Sequence, residues 1–198
     1  MMTWINAIIL GAKLFTIFTS LLTIPFEASK ASLTKRFNPI RFVVNQICIF
    51  YMACLLAVVF FPLPTASQAI GLVYRIQKIP FYAIYDVVTN FSVEAVLQIL
   101  FNIMMTVPFG IMMGYRFGFS TKKTILASLC LSLFIEVGQL TGLFFVYHGS
   151  FRLCDVDDLM LNTLGGFIGA VIYNKIAKVL PNMNKTEFAW NDGILAHV

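Results

Sequence analysis

Charge is scarce in this chain. Of its 198 residues, 12% are Asp, Glu, Lys or Arg, against about a quarter in an ordinary soluble domain. Hydrophobic residues make up 59%, and the mean hydropathy is +0.85. A soluble fold of this length has too little interior to cover so much apolar surface, and large exposed apolar patches aggregate. That excludes a water-soluble domain and points to lipid as the solvent. Histidine is nearly absent: His148 and His197 stand alone, and neither reads as a ligand. No CxxC pair occurs among Cys48, Cys54, Cys130 and Cys154, which excludes a disulfide framework and a zinc site. The first three lie in apolar runs, where cysteine behaves as a small hydrophobe.

Catalytic templates are missing too. There is no nucleophile elbow, no HExxH, no P-loop and no dinucleotide fingerprint. Any chemistry would fall to carboxylates, with no cofactor implied. No internal repeat is visible, which ranks a transporter last, since many transporters carry inverted repeats. The two N-x-[ST] matches, at Asn90 and Asn184, carry no weight, because such matches are common by chance.

What is there is a series of apolar runs: Ile5 to Phe26 (with Lys13 inside), Phe42 to Leu63, Leu97 to Tyr115, Thr124 to Val146 and Leu159 to Leu180. Each approaches the ~20 residues that an α-helix needs to cross the hydrocarbon layer. Backbone groups in lipid must be satisfied within the segment, so the runs are expected to be helices. The expected fold is an all-α polytopic bundle of about five spanning helices. Three regions follow: 1–96, two spans plus an outer stretch; 97–180, three helices; and 181–198, a mobile polar tail. Pro64 to Val96 is mixed, and Tyr74, Phe81, Tyr82 and Tyr85 among its charges suit an interfacial or re-entrant helix. The first run also resembles a secretory signal, with Lys13 before Leu14–Ile24 and small residues at Ala28 and Ser29. Cleavage there would leave four basic residues outside, so the run is read as a span.

The net charge is +5, and the basic residues sit between the apolar runs. Lys30, Lys35, Arg36, Arg41, Arg116, Lys122, Lys123, Lys175, Lys178 and Lys185 fall on one side of the alternation. Arg75, Lys78 and Arg152 fall on the other. This is topology information rather than a nucleic-acid footprint. It places the N-terminus outside and the C-terminus in the cytoplasm. Asp86, Glu94, Asp155, Asp157 and Asp158 then lie outside.

Polar groups cluster at the same end. Glu136 and Gln139 are three apart on one helix face, and Gln98 and Asn102 are four apart on another. Asp155, Asp158 and Asn162 follow i, i+3, i+7 spacing after Arg152. Structural and functional readings compete. Interhelical amide bonds contribute ~0.6–2 kcal/mol each, which suffices for Gln98 and Asn102. Asp155, Asp157 and Asp158 also suit a helix N-terminus. Neither explains Glu136 with Arg152, and ionisable groups within membrane segments are functional by default. A hard-cation site would use such oxygens, but the spacing fits no cation loop, and no metal is expected. Gly165 with Gly169, and Gly166 with Ala170, form small-xxx-small pairs for close helix approach. Pro108 with Gly110 suggests a kink.

On these residues the chain resembles the VanZ family of integral membrane proteins. The likeness covers Gln98 to Tyr173. It rests on Asn102 with Pro108-Phe-Gly, on Glu136-Val-Gly-Gln139, on Arg152-Leu-Cys-Asp155-Val-Asp-Asp158, and on Asn162-Thr-Leu-Gly165-Gly-Phe-Ile-Gly169. It implies a multi-pass protein of the bacterial cytoplasmic membrane. The family's namesake is associated with low-level teicoplanin resistance. By resemblance, the expected function is an accessory role in glycopeptide or envelope-stress resistance. An amphiphile, lipid-linked cell-wall precursor or lipoglycopeptide would bind at Glu136, Gln139, Arg152, Asp155, Asp158, Asn162 and Asn102, with Arg152 able to hold a phosphate or carboxylate. The alternative is an intramembrane enzyme on a lipid-linked substrate, with Glu136 as acid or base and Asp155 and Asp158 orienting it.

Overall fold

The structure is a computed structural model that describes residues 4–64, 72–181 and 188–189. The tail expected over 181–198 and His197 lie almost wholly outside the described residues. Seven helices are described: α1 (Trp4–Phe18), α2 (Ile24–Thr34), α3 (Pro39–Phe60), α4 (Tyr82–Asn90), α5 (Val93–Phe117), α6 (Thr121–Leu140) and α7 (Val156–Ile176). A π-helical turn, Thr19–Thr23, joins α1 to α2 without a break. Five stretches are long and apolar enough to cross a membrane: Ile8–Thr34, Pro39–Phe60, Val93–Phe117, Thr121–Leu140 and Val156–Ile176. The chain is an all-α, multi-pass membrane protein.

The ends of the spans differ from the hydropathy boundaries for local reasons. The first continues past Phe26 to Thr34, because Glu27, Ala28, Lys30 and Ala31 are good helix formers though not apolar. The fourth ends at Leu140 rather than Val146. Gly142 has φ 63°, and Leu143, Phe144 and Phe145 follow with φ 58°, 56° and 71°, so the backbone turns left-handed there. Helix α5 continues as one element through Asn102 and Pro108.

The contacts divide the chain into two units, one holding residues up to Val58 and beyond Lys178, the other Val59–Lys178. In the first, α1 and α3 form an antiparallel hairpin. The Phe15 ring meets Phe50 edge-on at 5.2 Å, and a Cβ at Gly11 would strike the Cys54 backbone. Beside the π turn, Gln46 Nε2 donates to Thr23 Oγ1 at 3.3 Å, and Thr19 Oγ1 donates to Gln46 Oε1 at 3.2 Å.

The second unit is built around α7. A Cβ on Gly165 would run into Thr106 and the Ile103 carbonyl of α5; one on Gly169 would meet the Val107 carbonyl, and one on Gly166 would meet Ser128 of α6. The small residues of α7 are therefore spent within the chain, on two neighbours at once. Buried small and polar groups line the seams: Thr106, Ser128 and Ser132 are all but inaccessible. The opposite faces carry Leu100, Met104, Leu126, Phe134, Leu164 and Phe167, all exposed, as lipid-facing surfaces require.

Candidate functional site

Polar side chains from four helices meet at one end of the second unit, where α6 ends and α5 and α7 begin. Each is placed by helix periodicity. Gln98 and Asn102 lie one turn apart on α5. Gln98 Nε2 bridges two carboxylates, donating to Asp155 Oδ2 at 3.1 Å and Asp158 Oδ1 at 2.9 Å. Asn102 Nδ2 donates to the same Asp158 oxygen. The amide pair therefore ties α5 to the acidic group at the start of α7, as interhelical amide bonds do.

Asp155 is the N-cap of α7, and its Oδ1 accepts the Asp157 N–H at 2.9 Å. That satisfies one of the free donors of the first turn. Glu136 reaches across from α6, and its Oε2 accepts the Asp155 N–H at 2.9 Å. The Cys154 thiol also hydrogen-bonds to Glu136. Burial and the neighbouring Glu136, Asp155 and Asp158 carboxyls push the Cys154 thiol up to about 12. Asn162 Nδ2 donates to Ser132 Oγ at 3.0 Å, and Ser132 Oγ to the Asp158 carbonyl at 3.3 Å. The Asn162 Oδ1 atom is buried with no hydrogen-bond partner.

Gln139 and Arg152 converge elsewhere. Gln139 Nε2 donates to the Val59 carbonyl at 2.9 Å, and Arg152 Nη1 to the same oxygen at 3.1 Å. Burial lowers the Arg152 pKa, and the nearby Asp158 and Glu136 carboxyls act against that shift. Five of the seven expected residues (Asn102, Glu136, Asp155, Asp158 and Asn162) thus form one hydrogen-bonded network; the other two, Gln139 and Arg152, hold the Val59 backbone beside it, with Arg152 near enough to feel the Asp158 and Glu136 charges.

Asp157, which by sequence suits a helix start, also braces the frame of this region. It is 2% exposed. Its two oxygens accept the N–H groups of Phe81 at 2.6 Å and Ala83 at 2.7 Å, which fastens the start of α4 to α7. Asp155 and Asp158 are three apart and share one face, so Asp157 between them points away from it. Nearby, Ile76–Gln77 pairs in parallel with Cys154–Asp155. Ser150 Oγ accepts the Arg75 N–H at 2.8 Å and donates to the Val73 carbonyl at 2.9 Å.

These ties frame a cavity of about 450 Å³ between α4, the start of α5 and the strand pair. Its lining includes Gln77, Tyr82, Asp86, Glu94, Gln98 and Asp155, with Ile76, Ala83, Ala95 and Leu153 as apolar wall. The size suits a small ligand or a headgroup. No Lys or Arg is among the described lining residues. Asn90 Nδ2 donates to Asp86 at 2.8 Å, and this bond, with a second from Ser92, holds the Asp86 carboxyl below the usual carboxylate range. Among the described residues, no three of His, Cys, Asp and Glu are grouped so as to hold a metal ion.

Comparison with known proteins gives one match. The model of a family described as VanZ/LLP1 fits residues 48–178, about two thirds of the chain. No curated protein and no solved structure matches.

Proposed function

The chain belongs to the VanZ/LLP1 family, and from that premise we propose that it is a bacterial cytoplasmic-membrane protein that binds the polar part of an amphiphile beside Asp155. The observation that carries this reading is the cavity lining. Three carboxyl groups (Asp86, Glu94 and Asp155) and four neutral polar groups (Gln77, Tyr82, Ser92 and Gln98) line one ligand-sized space. Such a lining favours amines and hydroxyls, which bring donors to acceptors. An apolar tail could leave sideways along the exposed Val93, Val96 and Leu97 of α5. A lipid-linked cell-wall precursor or a lipoglycopeptide has this shape, a polar head on an apolar chain. In the proposed topology the cavity opens outward, where such molecules are met.

The buried network has a different task in this reading. Glu136, Asp158 and Asn102 set the position of Asp155 and Gln98, the two residues that belong to both network and cavity. Each of the three network carboxyls already accepts a hydrogen bond from a fixed group, which favours binding over turnover. The family's namesake makes teicoplanin the first ligand to test. A glycopeptide-sensitive host would express wild type or the Asp86→Asn/Glu94→Gln variant at matched membrane levels. The expected result is raised teicoplanin tolerance with wild type and none with the variant. If wild type leaves susceptibility unchanged, the resistance role falls; full protection by the variant would remove the cavity from the mechanism.

A further inference from the structure

A second cleft lies in the other unit, at the end of the first span. It measures about 530 Å³ and is lined by Lys30, Arg36 and Arg41 with Glu27, Thr34 and Asn38. Among the described lining residues three cations stand against one carboxylate, and the hydroxyl and amide add neutral partners. Asn38 immediately precedes α3, and its Oδ1 accepts the Arg41 N–H at 2.9 Å. The cleft therefore also adjoins the N-terminus of a 22-residue helix, whose dipole favours anions.

We propose that this cleft binds the phosphate headgroup of an anionic phospholipid. Two features select a lipid over a free phosphate. The cleft sits where the apolar span ends at Thr34, the depth of a headgroup. Phe26, 67% exposed, precedes the lining residues Glu27, Lys30 and Thr34 on α2, on the apolar side where an acyl chain would run. Basic pockets at membrane-helix ends take anionic headgroups by the same combination of charge and depth. The sequence reading counted Lys30, Arg36 and Arg41 only as loop charges that set orientation. Orientation needs no cleft; a cleft converts that charge into a local site.

The test uses the full-length protein, delipidated in detergent, with lipid binding followed by native mass spectrometry. Phosphatidylglycerol and phosphatidylcholine are the probes, and inorganic phosphate is the competitor. The variants are Lys30→Gln/Arg36→Gln, both exposed side chains, and a control of equal charge loss, Lys122→Gln/Lys123→Gln on α6. The expected result is phosphatidylglycerol bound at least about tenfold more tightly than phosphatidylcholine by wild type and control, as two or three cations near a headgroup provide. The Lys30/Arg36 variant should lose that preference while keeping its thermal unfolding profile. Equal binding of the two lipids by wild type would overturn the proposal. So would an equal loss in both variants, which would mean diffuse charge rather than a site. Displacement of phosphatidylglycerol by millimolar inorganic phosphate would make the site one for free phosphate and overturn the lipid assignment.

Discussion

Glu136 holds Asp155 by its backbone: the α6 carboxylate accepts the Asp155 N–H at 2.9 Å, so one helix caps another. The Glu136 side chain is 3% exposed. Removing it leaves the Asp155 N–H and the Cys154 thiol without that acceptor. Glu136→Ala should lower stability by about 1–3 kcal/mol, read as a fall in unfolding temperature in detergent. Glu136→Gln keeps an acceptor oxygen and should lose clearly less. Equal losses would mean that volume, not hydrogen bonding, is what Glu136 contributes.

Asp157 should matter to α4 more than to the spans. With Asp157→Asn, one of the two acceptor oxygens becomes a donor facing the N–H of Phe81 or Ala83. Membrane insertion should be retained, while protease cuts between residues 79 and 92 at least about tenfold faster, as a loss of ~1–3 kcal/mol of local stability implies. An unchanged cleavage rate would show that the strand pair alone holds α4 in place.

The glycines of α7 should tolerate no side chain. Gly169→Val places methyl groups against the Val107 carbonyl of α5, and the two helices cannot separate without losing their packing. Little folded protein should be recovered. Phe167→Ala, at an exposed position of the same helix, should cost less than about 1 kcal/mol. Size-exclusion yield after solubilisation compares the two.

Cys154 should resist alkylation. Its thiol, raised to about 12, stays protonated through pH 10, and the thiolate is the reactive form. Rates of iodoacetamide labelling should stay near background until about pH 11 and rise earlier in Glu136→Gln, where one opposing charge is gone. The sign for stability follows. Between the ordinary thiol range and 12 the unfolded chain has lost a proton that the folded chain keeps, so this group makes folding less favourable as pH rises there. Labelling of Cys154 at pH 8 as fast as a free thiol would contradict the environment described.

Much of this was legible in the sequence. Five spans and their order follow from hydropathy, and the network at the α6–α7 end follows from i, i+3, i+4 spacing carried onto helices. What escaped was information that hydropathy does not encode. The left-handed turn after Leu140 depends on Gly142 and on backbone angles of the aromatics beyond it. Gln46 stands within an apolar run and bonds Thr19 and Thr23 across the hairpin. The bond from Arg152 Nη1 to the Val59 carbonyl, 93 residues earlier, likewise joins a side chain to a backbone oxygen. Asp157 was hidden because its partners are backbone N–H groups, which leave no mark on residue identity.

The acidic run at the start of α7 serves two directions at once. Asp155 and Asp158 both meet Gln98 of α5, where Asp158 also meets Asn102, and Asp157 faces α4. Successive helical residues are rotated by about 100°, so the spacing within the run is the angular code that sorts the partners. A single inserted residue between Asp155 and Asp158 would turn everything on one side of it by that angle and misdirect the glycines further along. A change in length here would therefore reach every partner of α7, whereas the Asp157→Asn change reaches α4 alone.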